Sequence, residues 1–196
     1  MKIDDLKFYT TDVTAYAAQM KETALQTWLR RKEGIGTGSP EAPNPLEGGG
    51  KQGLRRYWTF RNVMEVSIAN RLFTSGLGLD LALQAGAFFA YVGTLPGSMA
   101  EDVVLGKPGN GLMRIPGLPF HDPDCPDLKT LAIVSQKGCA VVGWGKGYDP
   151  LKEANVRLGG LSAWSSVECR EVFFDVCGRL GLQPFDLINA EYGAKA

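Results

Sequence analysis

The sequence predicts an α+β protein in two parts: a mostly helical first half, then a small α+β module with a β-hairpin and a terminal helix. Three observations point there. Between positions 10 and 92, apolar residues recur at three- and four-residue spacing behind good helix caps. Between 130 and 144, two apolar β-branched runs flank a turn ending in glycine. Residues 93–126, rich in Gly and Pro, separate the two patterns and set the expected domains at 1–93 and 94–196.

Thr10-Thr11-Asp12 offers N-caps for a first helix with Val13, Tyr16, Ala17 and Met20 as its apolar stripe. A second helix over about 21–32 has Ala24, Leu25, Trp28 and Leu29 on one face. Thr23, Gln26, Thr27 and Arg30 lie on the other. Residues 34–53 hold seven glycines and three prolines and read as a long loop. Residues 54–58 read as extended. Thr59 caps a third helix with Phe60, Val63, Met64, Ile68 and Leu72 inward and Arg61, Asn62 and Glu65 outward, ended by Gly76. A fourth helix, over 79–92, is apolar nearly all round, as a buried or interfacial helix would be. In the second half a hairpin forms over 130–136 and 139–144 around Lys137-Gly138, and 156–161 is a further strand. Ser165-Ser166-Val167-Glu168 reads as a capping box for a helix that buries Val172, Phe173, Val176, Cys177 and Leu180.

Composition excludes several classes. The 196 residues are 44% hydrophobic and 21% charged, too apolar for a disordered chain. No 18-residue apolar stretch is present, so no membrane-spanning helix is expected. MKIDDLKFYTTD carries acids where a signal peptide needs a basic region and an apolar run, which implies a cytoplasmic protein. Cys125, Cys139, Cys169 and Cys177 form no C-x-x-C pair, and with the single His121 they give no metal site. Gly48-Gly49-Gly50-Lys51-Gln52-Gly53 matches G-x-G-x-x-G, but the strand before it and the helix after it that a dinucleotide site requires are missing. G-x-S-x-G is absent and no triad is legible, so neither an enzyme nor a cofactor is expected.

Charge is unevenly placed in this neutral chain. Residues 19–75 carry nine Lys/Arg against five Glu, and residues 76–196 carry ten basic against thirteen acidic residues. A basic first third points to a polyanionic partner.

Two short helices, a Gly-rich loop, Gly53-Leu54-Arg55-Arg56-Tyr57, a helix opening Thr59-Phe60-Arg61-Asn62-Val63 and a second opening Gly76-Leu77-Gly78-Leu79 follow in order. This order resembles the winged helix-turn-helix of the MerR family of DNA-binding transcriptional regulators, over roughly residues 8–86. The Arg-Arg-Tyr run is its most specific part. Gln26 departs from the family's usual arginine, the 34–53 loop exceeds a typical wing, and a long pairing helix after 93 and the metal-sensing cysteines are missing. The resemblance implies duplex DNA as partner. Thr23, Gln26, Thr27 and Arg30 would face base edges, and Lys21, Arg31, Arg55, Arg56, Tyr57 and Arg61 would lie on the DNA-binding surface. One short helix reads few base pairs, so a homodimer is expected, with the second half dimerising or sensing an unknown small-molecule effector. An architectural or excisionase-like DNA-binding protein, or a ligand- or protein-binding module without DNA, are the alternative readings.

Overall fold

The computed structural model describes residues 2–6, 9–30, 57–93 and 114–193. Among them are a 3-10 turn at Ile3–Asp5, seven α-helices and a three-stranded antiparallel sheet. The helices are α1 (Thr11–Ala17), α2 (Glu22–Arg30), α3 (Phe60–Thr74), α4 (Leu79–Tyr91), α5 (Pro150–Arg157), α6 (Cys169–Arg179) and α7 (Pro184–Tyr192). The strands are β1 (Lys129–Ser135), β2 (Gly138–Trp144) and β3 (Ser165–Glu168), in the order β2-β1-β3.

The α3 helix is the hub. Its Thr59 cap forms a reciprocal box with Asn62, and it closes where Gly76, at φ 98°, donates to Phe73 while Leu77 donates to Leu72. The helix packs on α4 and α6, with Phe60 edge-on to Phe173 at 5.9 Å. Against expectation, Asn62 and Glu65 are buried. The reason is α4, which covers the face where they lie and supplies them with a partner. Asn62 Nδ2 donates to the Tyr91 hydroxyl at 2.5 Å, and that hydroxyl donates to Glu65 Oε2 at 2.7 Å. Burial, then the Glu65 charge, push the Tyr91 phenol far above its ordinary range. Gly86 lets α4 approach so closely that a Cβ there would lie 2.2 Å from the Glu65 carbonyl oxygen.

The hairpin forms with its turn one residue earlier than expected. Ser135 pairs with Gly138 across Gln136-Lys137, and Gly138 takes φ 137° as the first residue of β2. Alternation sorts the strands between two layers. Ala132, Val134 and Val141 join the main core on the α4 and α6 side, whereas Ile133, Ala140 and Val142 pack with Ala154 of α5. Both sheet faces are thus covered, which is why the strands read as continuous apolar runs.

Several expectations are corrected. Residues 156–161 are not a strand. Asp149 caps α5 through the N–H groups of Leu151 and Lys152, Pro150 sits in the first turn, and Arg157 pairs with Glu153 at 2.5 Å. The Ser165–Glu168 segment is strand β3, because the open edge of β1 takes it up (Ala132 opposite Val167). Glu168 then caps α6 itself by accepting from the Arg170 N–H. The buried side of α1 is Thr14, Ala15 and Ala17, continued by Ala18, while Tyr16 is 59% exposed. The helix α7 was not expected; it buries Leu187 and Ile188.

One apolar cluster runs from Ile3 through α3 and α4 to Ile188, so it draws on residues either side of position 93. Within 93–126, the described stretch from Arg114 onward enters that core. Leu118 is fully buried, and the Arg114 guanidinium donates to the carbonyls of Phe89 and Val92 at the end of α4. Burial lowers the Arg114 pKa to about 10.

Candidate nucleic-acid interface

The α1–α2 unit is built from its turn. Gln19 stands at φ 56°, the left-handed position that ends α1, with Gln19 N–H donating to Tyr16 and Met20 N–H donating to Ala15. A non-glycine residue there needs support from outside the helix. Asn70 of α3 supplies it, its Nδ2 reaching the carbonyls of Ala18 and Gln19 at 3.0 and 3.3 Å. In the amide orientation that satisfies its neighbours, the Gln19 side-chain oxygen accepts from Arg71 at 3.1 Å and from Arg179 at 2.6 Å. Arg71 also pairs with Asp175 of α6 at 2.6 Å. The turn is therefore held by α3 and α6 together.

The α2 helix leaves this turn with Leu25 and Trp28 buried, Trp28 set edge-on to Phe73 at 5.6 Å. That packing directs the other face outward. Thr23, Thr27 and Arg30 are exposed and Gln26 is half-buried. Their polar groups are held lightly and locally. Thr27 donates to the Thr23 carbonyl at 2.8 Å, and Gln26 donates to Glu22 at 2.8 Å. Lys21 is exposed at the start of the helix.

Of the other expected residues, Tyr57 is exposed beside buried Trp58, whose backbone pairs with Tyr9. The Arg61 guanidinium is half-buried and bound to Asp4 at 3.1 Å. Arg31, Arg55 and Arg56, the 34–53 loop and the Gly48–Gly53 motif lie outside the described residues. Asn70, Gln19, Arg71, Asp175 and Arg179 were not singled out as site residues from the sequence. No spacing rule joins residues so distant along the chain, and nothing in the sequence sets Asn70-Arg71 apart from the other polar pair of α3, Arg61-Asn62.

Among the described residues no group of three or more His, Cys, Asp or Glu could hold a metal. Asp122 instead accepts from Tyr148 and from the Asp124 N–H, and the His121 ring lies 5.5 Å from Tyr192. No described helix is long and apolar enough to cross a membrane. No family model matches the chain, and no curated protein matches it.

Proposed function

We propose that this protein binds duplex DNA as a cytoplasmic, homodimeric transcriptional regulator of MerR-like type, with α2 as the reading helix. The observation that carries the reading is α2 itself. Thr23, Gln26, Thr27 and Arg30 stand on one outward face, while Leu25 and Trp28 lock the reverse face and Asn70 holds the entering turn. Thr23, Gln26 and Thr27 can donate and accept at base edges, Arg30 can donate, and the helix diameter fits the major groove. Lys21, at the start of α2, is a phosphate contact, joined by Tyr57, Arg31, Arg55 and Arg56 on the strength of their place in the sequence. Arg61 is left out of the contact set because its charge is bound to Asp4. The reading gives the protein no catalytic role.

The test uses the full chain. A duplex is selected from a random library at low salt, and its affinity is then measured against salt for wild type, Lys21→Ala and Gln26→Ala with Arg30→Ala. The double variant alters outward side chains only and is expected to weaken the selected duplex tenfold or more, at about 1–3 kcal/mol per base contact. Lys21→Ala is expected to lower the salt slope by about one. Absence of duplex binding at low salt, or unchanged affinity in the folded double variant, refutes the reading.

A further inference from the structure

The α1–α2 turn gathers more positive charge than the fold answers. The Gln19 side-chain oxygen accepts from Arg71 Nη2 at 3.1 Å and from Arg179 Nη2 and Nε at 2.6 and 3.2 Å. Two guanidinium groups, one from α3 and one from the end of α6, therefore converge on a single neutral oxygen. Like charges brought together repel unless an anion stands with them. One acid does, Asp175, whose Oδ2 lies 2.6 Å from Arg71 Nη2. Among the described residues Arg179 has no acidic partner.

The pair is both fixed and accessible. Arg179 lies 5.5 Å over the ring of Tyr16, and Gln19 grips its other edge. Arg179 is exposed, and the Arg71 side chain is 41% exposed. A guanidinium has five N–H donors. Arg71 uses Nη2 on Asp175 and Gln19, and Arg179 uses Nη2 and Nε on Gln19, so Nη1 of each is left for an acceptor from outside. A carboxylate's two oxygens are matched by one guanidinium fork. The oxygens of a phosphate diverge from one centre and accept from two forks at once. Arginines already fixed in place lose less freedom on making those bonds.

We infer that Arg71 and Arg179, converging on Gln19 at the α1–α2 turn, bind a phosphate group, whether a backbone phosphate of duplex DNA or a free phosphate. The duplex as source rests on the DNA-binding reading. Gln19 stands in the turn from which α2 leaves, and phosphate contacts beside a reading helix set its register on the duplex. A phosphate bound there through Arg179 ties α6, in the second half of the chain, to the helix that reads.

Two experiments on the full chain separate the sources. In the first, the arginine Nε–H signals of isotope-labelled protein are followed by NMR as sodium phosphate replaces sodium chloride at constant ionic strength. The Arg179 signal, assigned by its absence in Arg179→Lys, is expected to shift saturably, half-way at about 1–10 mM phosphate. In the second, the salt dependence of binding to the selected duplex is measured for wild type, Arg179→Ala, Arg179→Lys and Lys146→Ala, the last an exposed cation between β2 and α5. Arg179→Ala, its circular dichroism unchanged, is expected to lower the slope by about one, while Arg179→Lys and Lys146→Ala keep it. An Arg179 that only braced the turn would lower affinity at every salt concentration and leave the slope alone. A saturable shift with an unchanged slope assigns the site to free phosphate, and a saturable shift in a protein that binds no duplex shows that the DNA reading alone has failed. The inference is overturned if no saturable shift occurs and the duplex is not bound, the Arg179→Ala slope is unchanged, or Lys146→Ala lowers it equally.

Discussion

Gly86→Ala sets two opposed effects on one atom. In an exposed helix the change would stabilise by about 1 kcal/mol, since alanine is the better helix former. In α4 the new methyl would lie 2.2 Å from the Glu65 carbonyl oxygen and 3.0 Å from the carbonyl carbon behind it. Both are backbone atoms of α3, so no rotamer change relieves the contact. Restoring ordinary contact needs the helices to part by about 1 Å. That shift would stretch the 2.5 and 2.7 Å hydrogen bonds joining Asn62, Tyr91 and Glu65 across the same interface. Overpacking costs about 1–3 kcal/mol, and weakening buried polar bonds adds about 1–2 kcal/mol. Set against the propensity gain, the net loss is about 1–4 kcal/mol, a fall in Tm of about 2–16 °C for a chain of this length. Thermal melts and guanidinium titrations of the two proteins measure it. An unchanged or raised Tm would refute the close approach of α4 to α3 and, with it, the packing that buries Glu65.

Two further outcomes follow from buried groups. Asn70→Ala removes the donor to the Ala18 and Gln19 carbonyls, so it is expected to cost about 1–2 kcal/mol by denaturant titration. It should also weaken duplex binding by the folded protein, and full affinity in that variant would show that the α1–α2 turn needs no support from α3. Burial pushes the Cys139 and Cys177 thiols up from 9.0 to about 12, so the folded state favours the protonated forms. Their contribution is fully present below about pH 9 and is lost as pH rises toward about 12. Guanidinium midpoints should therefore fall between about pH 8 and pH 11, and Cys177→Ala should flatten the fall by up to about 1.4 kcal/mol per pH unit. A flat midpoint over that range would contradict the burial of these thiols.

What the residues declared in advance was mostly local. The Thr59 cap, the Gly76 stop, the hairpin and the outward face of α2 each rest on a few neighbouring side chains, and each is found within a residue of its expected place. The misreadings share a cause in tertiary packing. Asn62 and Glu65 look like solvent-facing residues until α4 covers them, and no pattern within α3 announces the Tyr91 hydroxyl 26 residues beyond Glu65. Ser165–Glu168 satisfies a capping-box spacing equally well as it satisfies a short edge strand; the free edge of β1 decides. For 156–161, the Asp149-Pro150 cap is the stronger signal, and the apolar Val156, Leu158 and Leu161 are the weaker one. The site was half legible for the same reason. Thr23, Gln26, Thr27 and Arg30 share one helix face, whereas the clamp on their turn comes from residues up to about 160 positions away.

Arg114 gives the chain a seam. A Cβ on Gly93 would lie 2.8 Å from the Arg114 carbonyl oxygen, and the Arg114 side chain is fastened to the end of α4. Gly93 and Arg114 therefore meet although twenty positions lie between them in the chain. A change at Arg114 is thereby felt at the end of α4 as well as in its own segment.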